Sequence, residues 1–249
     1  MVWAIMTSFK RPVDAFAVPP TIIFTPTFEF HYQVWVEKAF WRFLINSAVV
    51  SICTVLISVS IGTMAAYGLA RLRSTASRGV LFAILSMRMF PHILLAIPFF
   101  VLAKWLGLIN TYPALILALI AINQPFTIWL MRSFFLDVPG ELYEAAEIDG
   151  CGAWQVFARI GLPVVRPGLW VTALFSLLLA YNEFLLSLVL TGPDTKTLPV
   201  ALAEYGAEDI NYWTLSAAAA VGIMLPIVAF MMLMQRHLAR GLAFGAVKG

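Results

Sequence analysis

Five stretches of this chain run almost without polar interruption. Phe43–Leu69, Leu106–Met131 and Tyr212–Gln235 carry no charge, while Gly79–Ala103 holds only Arg88 and Gly168–Thr191 only Glu183. Crossing the hydrocarbon of a bilayer takes about 20 predominantly apolar residues at about 1.5 Å each, and all five stretches are long enough. They predict membrane-spanning helices, because a lone segment in lipid must satisfy its own backbone hydrogen bonds. Three long uncharged runs in one chain would be out of place in a soluble core.

The N-terminal segment breaks this pattern. Val2–Phe9 is apolar but covers only about 12 Å as a helix, too little to cross. A polar stretch with Lys10, Arg11 and Pro12 follows it. No basic region precedes the apolar part and no small-residue cleavage site follows, so it does not read as a signal peptide. The expectation is that residues 1–9 are the remnant of a first span whose beginning lies upstream, with about 20 apolar codons ahead of Met1. A five-span chain with a short interfacial N-terminus is the alternative. Residues 10–42 then form an external segment, and 43–249 the membrane core.

The longest polar insertion is 132–166, too long for a simple helix connection. Asp137 is placed to cap a helix with Pro139 and Glu141 in its first turn, and Gly150 is a natural terminator, which predicts a helix over Val138–Asp149. Ala153–Ile160 can form a second helix, with Pro163 and Pro167 marking the return to the bilayer. From Asp137 to Asp149 there are five carboxylates and no basic residue. Glu141 and Glu144 share one helix face, and Leu142, Ala145 and Ala146 line another. Such a small, acidic surface is repelled by anionic lipid and suits a cleft lined with basic groups. A solvated amphipathic connector is the plainer reading of the same residues.

Composition adds constraints. Of the 249 residues, 61% are hydrophobic and 12% charged, and the mean hydropathy is +0.89. Both are far from a soluble domain. The formal charge of +3 comes from 16 Lys and Arg against 13 Asp and Glu without a dense basic block, so nucleic acid is not an expected partner. One set of connections holds nine basic residues (Arg71, Arg73, Arg78, Arg132, Arg159, Arg166, Arg236, Arg240 and Lys248). The other set holds six (Lys10, Arg11, Lys38, Arg42, Lys104 and Lys196). The positive-inside bias therefore points the first set, and the C-terminus, toward the cytoplasm. Cys53 and Cys151 lack a partner at redox or metal-ligand spacing. His31, His92 and His237 stand apart in the sequence, and no catalytic or metal-binding constellation is present. There is no phosphate-cradling G-x-x-x-x-G-K-[ST] loop, so the chain is not expected to hydrolyse ATP.

Inside the runs, Arg88, Asn123, Gln124, Asn182 and Glu183 are the polar groups to explain. Arg88 at mid-span costs about 2.5–3.5 kcal/mol unless it faces water or a partner. Pro91 and Pro98 favour a kinked helix around a cavity. With Tyr181, these residues (Arg88, Asn123, Tyr181, Asn182 and Glu183) are candidates for a translocation path. Interhelical hydrogen bonding, including an Arg88–Glu183 pair, is the structural alternative. Tyr181, Phe184 and Trp170 could stack on a ring-shaped ligand, although packing explains them as simply.

The spacing of the insertion is specific. Glu144, Ala145, Ala146, Gly150, Ile160, Leu162 and Pro163 form E-A-A-x3-G-x9-I-x-L-P, which resembles the cytoplasmic signature loop of permease subunits of bacterial ATP-binding-cassette importers. The pair Asp149-Gly150, the run Tyr181-Asn182-Glu183-Phe184, Thr197-Leu198-Pro199-Val200 and the tail Gly245-Ala246-Val247-Lys248-Gly249 are similar to the carbohydrate, maltose-type branch. The resemblance implies an all-α polytopic bundle of the type I importer permease fold, here with five complete spans and a truncated first one. It also implies residence in a bacterial inner membrane, a second permease, a cytoplasmic ATPase dimer that holds ATP and magnesium, and an extracytoplasmic solute-binding protein. In that frame Glu144 faces a basic residue of the ATPase, Ala145 and Ala146 permit close docking, Gly150 makes the turn, and Ile160, Leu162 and Pro163 anchor the second arm. The external stretch with Asp194, Glu204, Glu208 and Asp209 would meet the binding protein, and the tail would reach the ATPase. The chain itself would bind no cofactor. An ion-coupled secondary transporter and a non-transporting membrane scaffold are the rival readings.

Overall fold

The computed structural model describes residues 1–72, 75–208 and 213–246. Its principal helices are α1 (Val2–Ser8), α2 (Trp41–Arg71), α3 (Thr75–Met87), α4 (His92–Trp105), α5 (Tyr112–Leu136), α6 (Gly140–Ile148), α7 (Arg166–Tyr181), α8 (Leu185–Leu190), α9 (Leu198–Glu208) and α10 (Trp213–Ala246). No strand occurs among the described residues.

Small side chains decide how these helices meet. Along α2, Ser47, Ser51, Thr54, Ser58, Gly62 and Ala66 are all buried and recur at three- or four-residue spacing, which is one face of a helix. Ile45, Ile52, Leu56 and Ile61 on its other side are exposed, as lipid-facing groups should be. The small face packs along α5, the most extensive helix pairing among the described residues. Apolar surface drives little association inside lipid, so close backbone approach and interhelical hydrogen bonds supply the attraction. Gln124 Nε2 donates to the Ser58 carbonyl at 3.2 Å, and Asn123 Nδ2 to the Ser176 carbonyl of α7 at 3.4 Å.

Three helices, α2, α5 and Trp213–Met232 of α10, are long and apolar enough to cross a membrane unaided. Two further apolar helix pairs are bent at a short break. Ser77–Met87 meets His92–Trp105 at 89°, and Ala153–Val164 meets Arg166–Tyr181 at 76°. The kinked helix expected over Gly79–Ala103 is thus a sharp elbow, two helices meeting at a break before His92. The residue before a proline is pushed out of the α region, and Pro91 itself is extended at φ −58°, ψ 133° before α4 begins. Pro98, by contrast, sits inside α4 without ending it. Gly168–Thr191 is likewise two helices, α7 and α8. Leu106–Met131 is displaced to α5, because Gly107 and Asn110 adopt positive φ of 68° and 58° ahead of it.

The N-terminal segment lies against α10 through α1. Lys10 is 1% exposed; its ammonium donates to the Thr21 carbonyl and lies 4.5 Å from the Trp3 ring centroid and 5.2 Å from that of Phe24. Trp35 covers Gly222 so closely that a β-carbon there would fall 1.8 Å from Cζ2.

Candidate functional site

The acidic insertion folds as a short helix strapped to the ends of α2 and α5. Helix α6 spans Gly140–Ile148, two residues later at its start than the spacing predicted. Asp137 does not cap it: that residue ends α5, and the extended Pro139 takes the N-cap position. Gly150 makes the predicted turn at φ +81°, which a side chain would strain. The second arm begins as α-helix over Ala153–Val156 and widens to a π-turn over Phe157–Gly161, so the expected helix is present but irregular.

Tyr143 and Ala146, three apart, are buried at 4% and 6%, and they anchor α6. Glu144 and Ala145 are exposed, together with Glu141, Leu142 and Ile148. The outer surface is therefore acidic with an apolar margin, and Ala146 faces inward instead of lining it with Ala145 as expected. Inward contacts are largely aromatic. The Tyr67 ring lies 5.1 Å from Phe157, 5.4 Å from Phe135 and 6.0 Å from Tyr143, centroid to centroid. Ile160 and Leu162 pack against the same cluster, while Pro163 is exposed. The Arg71 guanidinium lies 4.7 Å over the Tyr143 ring and pairs with Glu147. Burial pushes the Tyr143 phenol above its ordinary pKa, the neighbouring Tyr67 adds to this, and Arg71 opposes it. Sequence reasoning missed Tyr67, Arg71, Tyr143 and Glu147 as the mount of this helix. The only signal was an Arg at the end of one run facing a Glu in the loop.

Elsewhere, the α3–α4 elbow opens a cavity of about 410 Å³. Three predicted residues, Arg88, Asn123 and Glu183, line it. Arg88 does not pair with Glu183: its guanidinium stacks 4.8 Å over Phe126. Glu183 Oε2 instead lies 3.4 Å from Nδ1 of His92, which also lines the cavity and which sequence reasoning left as an isolated histidine. The structure separates the Tyr181-Asn182-Glu183 run, because α7 ends at Tyr181 and the chain turns through Asn182 before α8 begins. Tyr181 is buried and donates to the Ile223 carbonyl at 3.4 Å, and the Asn182 amide turns back to the Leu178 carbonyl at 2.8 Å. Neither lines the cavity.

At the opposite end of α5 from α6, Asn110 Oδ1 accepts from the Gly192 amide at 2.9 Å and the Thr195 hydroxyl at 2.8 Å. Asn46 Nδ2 donates to the carbonyls of Asp194 and Lys196, and Lys196 pairs with Glu204. The stretch from Thr191 is thus pinned to α2 and α5. The Glu208 side chain, Asp209 and the side chains of the 245–249 tail lie outside the described residues. Among the described residues, no group of three or more His, Cys, Asp or Glu could hold a metal ion.

Residues 58–244 match the family described as the binding-protein-dependent transport system inner membrane component. A probable ABC transporter permease of Sinorhizobium fredii is 40% identical, the alignment covering 99% of this chain and 88% of that protein. The trehalose transport system permease of Mycobacterium tuberculosis is 36% identical over 100% and 92%, and a diacetylchitobiose uptake system permease of Streptomyces coelicolor 33% identical over 100% and 83%. Among solved structures, a bacterial ABC transporter that imports the acidic polysaccharide alginate superposes with a TM-score of 0.75 at 21% identity, covering 94% of this chain and 88% of that one. The inward-facing MetNI methionine ABC transporter does so at 0.65 and 19%, covering 84% and 97%. With its polytopic helical bundle, its type I importer architecture and a family match over most of its length, the chain belongs to the inner-membrane permease components of binding-protein-dependent ABC transport systems.

Proposed function

We propose that this chain is one of two permease subunits of an ATP-driven carbohydrate importer in a bacterial inner membrane, with the 132–166 loop and the C-terminus in the cytoplasm. The observation that carries this reading is full-length similarity above 30% to permeases named for trehalose and diacetylchitobiose uptake. The relatives named above are ABC transport permeases, not ion-coupled carriers or scaffolds. In this account Glu144 and Ala145 present the docking surface to a cytoplasmic ATPase, which binds ATP and magnesium. Gly150 turns the chain, and Ile160, Leu162 and Pro163 carry the second arm beneath the membrane. Ala146 acts from within, as a small residue that lets α6 lie close to the aromatic cluster.

The mechanism that follows is rigid-body transmission. Closure of the ATPase dimer moves α6, and the Tyr67–Phe135–Phe157 cluster passes that displacement to α2 and α5 together. Rigid packed elements switch between discrete arrangements instead of deforming continuously. At the other end, the Asn46 and Asn110 clasps carry the motion to the stretch from Thr191, which would receive the binding protein. Arg88, Asn123 and Glu183 line the path, and Tyr181 and Asn182 support its wall.

The test is purification of the tagged chain from its native membrane, followed by reconstitution in liposomes with radiolabelled trehalose, maltose or diacetylchitobiose. A stoichiometric ATPase and uptake of one of these sugars that requires ATP are expected. Uptake by the lone chain driven by an ion gradient would overturn the proposal.

A further inference from the structure

The elbow cavity contains an incomplete set of hydrogen-bonding groups. Asn123 is 4% exposed and its Nδ2 is engaged by Ser176, yet its Oδ1 has no partner. A buried amide oxygen left without a donor carries an unrepaid desolvation cost, so it marks a place where a donor is wanted. Within the same cavity, Glu183 Oε1 accepts from the Leu186 amide at 3.1 Å, which leaves its Oε2 edge, near His92, open to further donors. Arg88 offers guanidinium donors above Phe126. The rest of the lining is apolar and includes Phe90 and Phe99.

This arrangement selects by charge and by hydrogen-bond type. The one permanent cation, Arg88, and the one carboxylate, Glu183, balance, so an anion meets Glu183 and a cation meets Arg88. A purely apolar ligand would leave Asn123 Oδ1 unpartnered. Hydroxyl groups both donate and accept, and carbon-bound hydrogens suit aromatic walls. A volume of about 410 Å³ lies in the range of small-ligand sites. We propose that the cavity is a binding station for one neutral, hydroxyl-rich sugar unit, whose hydroxyls donate to Asn123 Oδ1, to Glu183 and to Nε2 of His92, the ring nitrogen not facing Glu183, and accept from Arg88. The station rests on the carbohydrate reading above and adds His92 and a ligand class to it. The 89° elbow between α3 and α4 opens the cavity that Arg88, His92, Asn123 and Glu183 line.

The experiment uses the whole importer in liposomes, with binding protein supplied already saturated with the radiolabelled disaccharide that wild type accumulates among trehalose, maltose and diacetylchitobiose, or with its monodeoxy analogues. Sugar delivered per ATP hydrolysed is compared between wild type and the Glu183→Gln, Asn123→Asp and His92→Gln variants; His92 is 44% exposed, so its variant tests the station without a buried substitution. The expected result is at least a fivefold lower yield per ATP for the parent sugar, with a smaller loss for the analogue lacking the hydroxyl that the altered residue contacts. Wild-type yield in all three variants overturns the station. Equal loss for the parent and every analogue also overturns it, because a structural role does not distinguish hydroxyls. Failure of every loaded binding protein to stimulate the wild-type ATPase instead overturns the carbohydrate reading itself.

Discussion

An added methyl at Gly62 would sit 2.5 Å from Thr127 Cγ2 and 3.1 Å from Gln124 Oε1, so α2 and α5 touch there through bare backbone. Gly62→Ala is expected to cost about 1–3 kcal/mol by overpacking and to lower the Tm of the solubilised complex by several degrees. Thr127→Ser in the same chain should recover part of that loss by removing Cγ2, and no recovery would mean the crossing is not the cause. His31 carries a second residue-scale prediction. It stacks 4.7 Å from Phe9 with Nε2 3.2 Å from the Ser8 hydroxyl, and burial lowers its pKa below the ordinary 6.5. The unfolded segment therefore binds the proton more readily, so this contribution is complete above pH 6.5 and is lost as pH falls through the lowered value. Hydrogen-exchange protection factors in residues 2–40, which remove the intrinsic pH dependence of exchange, should be lower at pH 5 than at pH 7.5, and His31→Phe should remove the difference. At this scale the polar groups in apolar runs were legible in sequence: Arg88, Asn123 and Glu183 do share a cavity. The pairing was not, because His92 stands alone at a helix start and raises no alarm in a hydropathy profile.

Helix α6 and its mount supply the element-scale prediction. The Arg71–Glu147 pair is 35% and 50% exposed, and pairs of that kind contribute about 0–1 kcal/mol. Phe157, at 7% exposure, belongs to the buried aromatic cluster, where truncation costs about 3–5 kcal/mol. Phe157→Ala should therefore expose the 140–148 helix to protease in the assembled membrane, while Glu147→Ala leaves it protected; the reverse ranking would assign the mount to the ion pair. Sequence spacing located this helix to within two residues at its start, because Gly150 and the acidic first turn are strong local signals. It failed at Asp137, where Pro139 sets the N-cap instead. Hydropathy also failed at the α3–α4 elbow, since an apolar run counts residues in lipid but carries no information about direction. Pro91 gave the hint of a bend and could not give its size.

Among the described residues, two clasps sit at opposite ends of the α2–α5 pair: the polar Asn46 and Asn110 network beside the stretch from Thr191, and the largely aromatic α6 mount at the other end. The pair packs along its length between them, with the elbow cavity about midway along α5. That architecture was legible only as a count of apolar runs and a seven-position motif; the joining of the two ends through small-residue packing needed coordinates, because serines and glycines in an apolar run read as interruptions, not as an interface. The central claim is that the acidic outer surface of α6 receives the stroke of a separate ATPase. The most direct measurement is ATP hydrolysis stimulated by the loaded binding protein in membranes carrying Glu144→Lys at wild-type chain levels. Placing a cation against a basic cleft should reduce stimulation by about tenfold or more, equivalent to about 1.4 kcal/mol. Stimulation equal to wild type would contradict the claim.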